Sequence, residues 1–189
     1  MKHLYIIIVC LAALLSACSD TENEFSNYRC YLVFQNDRHQ DMTLASALNQ
    51  NAPGTFCRIS FGVRNGAECY FFNNNQGLSS YKAATSLDLQ RSNIIGVYNS
   101  SGVIVGYGNL DMPATLYAYD SQCPNCYKNT GKPAYQLTMN ERGWATCTRC
   151  HRTYDMNNGG IISEGDKGDK LIRYRAATTG ALGTLSVTN

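Results

Sequence analysis

Cys123, Cys126, Cys147 and Cys150 stand in two CxxC pairs. A thiolate is a soft donor, and four of them on two short loops make a closed tetrahedral set suited to zinc or iron. The interval between the pairs falls at the upper edge of the spacing of two-loop zinc sites, long enough for one hairpin to bring them face to face. Zinc in such a site would do no redox chemistry and would lock the two loops together. A two-iron, two-sulfur cluster or a single iron on the same cysteines would instead make a one-electron carrier. Without metal, each CxxC could close as a disulfide, or one could act in thiol exchange, although the βαβ context of the thioredoxin fold is missing.

Four thiolates on a divalent ion leave excess negative charge, which positive groups and backbone N–H donors should surround. Lys128, Arg149 and Arg152, with Arg142 further off, are placed in sequence to supply it, and His151 could donate to a sulfur; the ordinary alternative for each is a solvated loop charge. Trp144, the single tryptophan, precedes the second pair and either shields the site or simply fills the core. Cys30, Cys57 and Cys69 fall among apolar and aromatic neighbours and are expected to be buried free thiols.

The elements that must position these cysteines read mostly as short strands. Apolar and aromatic runs at residues 28–34, 55–63, 68–72, 103–107, 114–119, 135–139, 171–176 and 184–187 are separated by Asn, Gly, Asp and Ser. Many short strands with frequent turns imply an all-β antiparallel sandwich or barrel. Asn65-Gly66 supplies the positive φ angles of a type I′ hairpin, and Ser101-Gly102 is expected to do the same before the strand at Val103. Residues 41–50 carry Leu44, Ala47 and Leu48 at helical spacing behind a capping Asp41, so a short helix is expected there. The first CxxC follows a strand ending at Asp120; the second follows 144–146, on the return strand of a hairpin turning near 140–143.

At these residues the chain resembles the Rieske iron-sulfur domains. Cys123-Pro124, then a hairpin, then Cys147-Thr148-Arg149-Cys150-His151-Arg152-Thr153-Tyr154-Asp155 and Gly159-Gly160 are similar to the two cluster loops of that family. The runs before the first loop and the closing pair at 171–187 are similar to its flanking strands, so the resemblance implies a Rieske-like β sandwich or barrel carrying a metal-binding two-loop subdomain at about 120–160. A Rieske centre needs two cysteines and two histidines. Here Cys150 takes the place of the second-loop histidine, and the first loop has Asn125 where the other would fall, with Cys126 one residue later. The fold is implied; the usual ligand set is absent.

The amino terminus points to an address. Lys2 and His3 precede a short apolar run ending in Leu15-Ser16-Ala17-Cys18, which has the form of a secretory signal and resembles the lipobox of bacterial lipoproteins. By that resemblance residues 1–17 are a signal peptide and Cys18 is lipidated. Residues 18–27, with Asp20, Glu22 and Glu24, read as an acidic flexible tether like the surface-export cue of some lipoproteins, and residues 28–189 form one β domain. The expected location is the cell envelope, lipid-anchored to the outer membrane and on its outer face if the acidic cue operates. No twin-arginine signal is present, so the chain would cross unfolded and acquire metal afterwards, which favours zinc over an assembled cluster.

Net charge is +2 with both signs spread along the chain, which argues against a nucleic-acid surface and leaves the lipid as the membrane attachment. No nucleophile motif, phosphate loop or two-histidine-carboxylate iron site occurs. The sequence thus describes a non-enzymatic envelope lipoprotein with a four-cysteine site: a zinc-stabilised structural or interaction module or, as the alternative, an electron-transfer protein with an iron centre and an unidentified redox partner.

Overall fold

The structure is a computed structural model that describes residues 24–99 and 101–189. The expected signal peptide and Cys18 lie outside the described residues. Within them no helix is long and apolar enough to cross a membrane.

In chain order the elements are β1 (Tyr31–Gln35), α1 (Asn36–His39), α2 (Met42–Ala47), β2 (Phe56–Arg64), β3 (Ala67–Asn74), β4 (Ser79–Ala83), α3 (Ser86–Gln90), β5 (Val103–Tyr107), β6 (Leu116–Asp120), α4 (Pro124–Thr130), β7 (Leu137–Met139), β8 (Trp144–Cys147), β9 (Thr153–Asp155), β10 (Ile161–Glu164), β11 (Arg173–Thr178) and β12 (Thr184–Thr188). Among the described residues they form an eight-stranded antiparallel sheet, ordered β1-β12-β11-β6-β5-β2-β3-β4 and curled into a half-barrel, and a four-stranded sheet, β10-β9-β8-β7. The small sheet is inserted between β6 and β11, which are themselves hydrogen-bonded neighbours. The fold is therefore mostly antiparallel β, as the periodicity of the sequence requires.

Strand alternation sends successive side chains to opposite faces, and at the centre of the large sheet, in β5, β6 and the start of β2, both faces are buried. On one, Cys57, Ile59, Val103, Val105 and Ala118 join a core with Leu32, Phe34, Leu185 and Val187. Helix α2 closes that core. Asp41 caps it by accepting the Leu44 backbone N–H at 2.9 Å, and Leu44, Ala47 and Leu48 are buried beneath it. Burying a side chain such as Leu44 contributes on the order of 2 kcal/mol. On the other face Phe56, Ile104, Tyr117 and Tyr119 pack against Leu137, Ala145, Tyr154 and Met156 of the small-sheet insertion. Cys123, Cys126 and Cys147 belong to this second core, so three of the four CxxC cysteines are rooted in the seam between the two sheets.

Turn chemistry fixes two registers. Asn65 and Gly66 both have positive φ, 51° and 80°, and join β2 to β3 with Arg64 opposite Ala67. Cys57 and Cys69 do not face each other across this hairpin; their partners are Asn74 and Gly62. The β7–β8 hairpin turns at Asn140, whose side-chain oxygen accepts the backbone N–H groups of Arg142 and Trp144. Ser101-Gly102 is a correction. Gly102 has φ 89°, but β5 pairs with β2 and β6 and with nothing just before it, so the pair makes a bend rather than a hairpin. A Cβ there would lie 2.8 Å from the Ile59 carbonyl oxygen, which is why glycine occupies the bend.

The carboxyl end of the expected tether, 18–27, touches the domain. The Ser26 N–H donates to the Arg173 carbonyl at 2.8 Å, Glu24 pairs with the Arg173 guanidinium at 2.5 Å, and the ring of Phe25 lies 5.1 Å from that guanidinium. Residues 24–26 are thus fastened to β11.

Candidate metal centre

The four cysteines come together from two elements. Cys123 is the N-cap of α4, and Cys126 lies in its first turn. Cys147 ends β8, and Cys150 follows in the turn before β9. The first pair is therefore helical, where two loops were expected. The signal was present: Pro124 at the first helical position and Gly131 in left-handed conformation after the last one, φ 65°, are ordinary start and stop residues.

All four sulfurs lie within 4.8 Å of one another. Across the two elements Cys123 Sγ is 3.6 Å from Cys150 Sγ, and Cys126 Sγ is 3.7 Å from Cys147 Sγ. A tetrahedral ion bound at about 2.3 Å to each sulfur sets neighbouring sulfurs about 3.8 Å apart. The set could therefore bind a metal ion such as zinc or iron. Cys123, Cys126 and Cys147 are buried and Cys150 is partly exposed. Every cysteine among the described residues is free, Cys30, Cys57 and Cys69 being buried as expected.

The surroundings show how this chain treats thiolate charge. The backbone N–H of Cys126 is directed at Cys123 Sγ, and that of Arg152 at Cys150 Sγ. Burial pushes the thiols of Cys123 and Cys126 up. Burial also acts upward on Cys150, but the Arg152 N–H and guanidinium, with neighbouring sulfurs, outweigh it and bring this thiol down to about 7. Of these three, Cys150 is the one whose surroundings act toward the thiolate.

Of the groups expected around the sulfurs, Arg152 reaches them and Lys128, Arg149, Arg142 and His151 do not. Arg152 bonds to Cys150 while its Nε donates to the Asp166 carbonyl at 2.9 Å and Nη2 to the Lys167 carbonyl at 3.2 Å. Lys128 instead forms a surface ion pair with Asp169 at 2.7 Å. Arg149 lies over the Tyr135 ring at 5.9 Å. His151 is exposed and left-handed, φ 58°, and uses its backbone N–H, which donates to the Cys147 carbonyl at 2.9 Å to close the turn. Trp144 also leaves the site: it stands at the far end of β8, half-buried, with the Arg142 guanidinium 5.7 Å over its ring.

Two residues carry site roles the sequence did not announce. The Tyr154 hydroxyl lies 3.3 Å from Cys123 Sγ and accepts a hydrogen bond from Asn125 Nδ2 at 2.9 Å. With its lone pair engaged by Asn125, the hydroxyl has its own proton to offer the sulfur. Asn125 Nδ2 also donates to the Asp169 carbonyl at 2.9 Å, and Oδ1 accepts the Asp169 N–H at 2.9 Å. Tyr154 stood in the sequence only as part of the second-loop motif and Asn125 as the position of a missing histidine; their partners lie far along the chain, so no local pattern could pair them.

No family model, curated protein or solved structure matches the chain.

Proposed function

We propose that the protein is a lipid-anchored module of the cell envelope in which Cys123, Cys126, Cys147 and Cys150 bind one zinc ion that ties the small sheet to the large one. The observation that carries this reading is the closeness of the four sulfurs, all within 4.8 Å. That spacing suits a single ion; a two-iron cluster holds its two cysteine pairs on opposite irons and needs them further apart. The role is structural and interactive rather than catalytic, and attachment is through lipid on Cys18. When bound, zinc would supply folding energy at the seam of the second core, where three of its four ligands are buried.

The insertion of the small sheet between β6 and β11 supports the Rieske-like resemblance of the architecture. The ligand residues depart from it: Asn125, at the position of a histidine, spends its amide on Tyr154 and the Asp169 backbone. The same geometry also fits a single iron, which would make the protein an electron carrier. Elemental analysis and a visible spectrum of the chain purified from its native membranes without added metal separate the readings. One zinc per chain and no colour is the expected result; iron with visible absorption would establish the carrier, and absence of metal would remove both.

A further inference from the structure

Cys150 differs from the other three cysteines in being partly exposed, between the exposed residues Arg149 and His151. Its sulfur lies 3.6 Å from that of Cys123, on the other ligand element. Redox-reactive cysteines are accessible thiolates with a second thiol close enough to resolve the first oxidation product. A cysteine holding zinc would be deprotonated; among the four, Cys150 is the one solvent can reach and Cys123 is the second thiol beside it, while Cys126 and Cys147 form the complementary buried pair at 3.7 Å.

What oxidation would do is legible in the contacts of the segment 165–170. This segment is clasped from both ligand elements: Asn125, beside Cys126, holds the Asp169 backbone through two hydrogen bonds, and Arg152, two residues after Cys150, holds the carbonyls of Asp166 and Lys167. The carboxamide of Asn125 presses against Gly168, where a Cβ would collide with it. Its side chains are otherwise largely exposed and the Lys128–Asp169 ion pair lies at the surface, so these backbone clasps are a main source of its order.

Resting on the zinc-site reading above, we propose that Cys150 is a hydroperoxide-reactive site resolved by Cys123, and that its oxidation unfastens the segment 165–170. Hydrogen peroxide takes an electron pair from the Cys150 thiolate: the S–O bond forms, the O–O bond breaks and hydroxide leaves. The Cys123 thiolate then attacks that sulfur. The S–S bond forms, the S–O bond breaks and a second hydroxide leaves, so two thiolates lose two electrons in total and one peroxide gains them. The site is left with two of its four donors, and Arg152 loses the thiolate charge that helps to fix its guanidinium.

The test uses the zinc-loaded full chain in detergent micelles, treated with hydrogen peroxide, alkylated and mapped by peptide mass spectrometry, with released zinc read by a chromogenic chelator and tryptic cleavage after Lys167 followed in parallel. The expected first product is a Cys123–Cys150 link, formed together with zinc release and about a tenfold rise in cleavage after Lys167 as the open population grows. In the variant Cys123→Ala, dimedone should capture a sulfenic acid at Cys150. A first link inside either CxxC pair, oxidation that spares Cys150, or zinc release with unchanged cleavage overturns the proposal. A chain that takes up no zinc overturns the metal reading instead, and the peptide map of that same chain still decides whether Cys150 pairs with Cys123.

Discussion

Asn125 and Asp169 exchange two hydrogen bonds of 2.9 Å, the side-chain amide of one closing on the backbone N–H and C=O of the other. A third bond from the same amide reaches the Tyr154 hydroxyl beside Cys123. Asn125→Ala removes all three and leaves the Asp169 groups to find other partners, at a cost of about 2–3 kcal/mol. Urea unfolding of the metal-loaded protein measures it. Asn125→Asp should be nearly as harmful, because a carboxylate cannot donate to Tyr154 or to the Asp169 carbonyl; equal stability of Asp and Asn at this position would contradict the assigned bonds.

Metal removal is the second expectation. Three ligands are buried in the second core, so chelation should lower the unfolding midpoint by an amount worth several kcal/mol, because binding energy at a site absent from the unfolded chain is folding energy. Cys150→Ser should do the same and lose the metal. Wild-type stability and metal content in that variant would mean that the four cysteines do not act as one site.

Acid sensitivity should extend beyond the metal site to Asp88. Burial acts upward on this carboxyl, but hydrogen bonds from the Thr85 hydroxyl and N–H, and from His39 at 3.0 Å, prevail and hold it below its ordinary value. A folded-state pKa below the unfolded one gives stability that is present above the ordinary carboxylate range and lost as pH falls through the folded value. Asp88→Asn should abolish that acid-dependent component and, by weakening the capping box of α3, cost about 1 kcal/mol. Thermal unfolding of both proteins between neutral and strongly acid pH reads the difference as converging curves.

The remaining cysteines should be silent. Burial pushes the thiol of Cys30 up to about 12 and acts upward on Cys57 still more strongly. Little thiolate exists at neutral pH, and Cys30, Cys57 and Cys69 are each nearly or fully covered. Iodoacetamide should leave all three unmodified in the native protein and label them only after denaturation, as counted by intact mass. Labelling of Cys57 under native conditions would show that the first core opens more readily than its packing allows.

The features legible in the residues alone were local ones. Alternating apolar residues fixed the strands that face a core, Asn65-Gly66 fixed the β2–β3 register through its positive φ angles, and Asp41 with Leu44, Ala47 and Leu48 fixed α2. The two CxxC pairs declared their donors by residue type alone. Helix α4 was also written locally, in Pro124 at its start and Gly131 past its end, although CxxC pairs commonly sit on loops. Tertiary structure decided the rest: that β6 and β11 pair across the inserted sheet, that Arg152 rather than Lys128 or Arg149 reaches a sulfur, and that Asn125 joins Tyr154 to Asp169. The division is physical. Turn and capping preferences act within a few residues through backbone sterics and short hydrogen bonds, whereas the partner of a long charged side chain or a buried amide is chosen by which distant segments the packed core brings within about 3 Å.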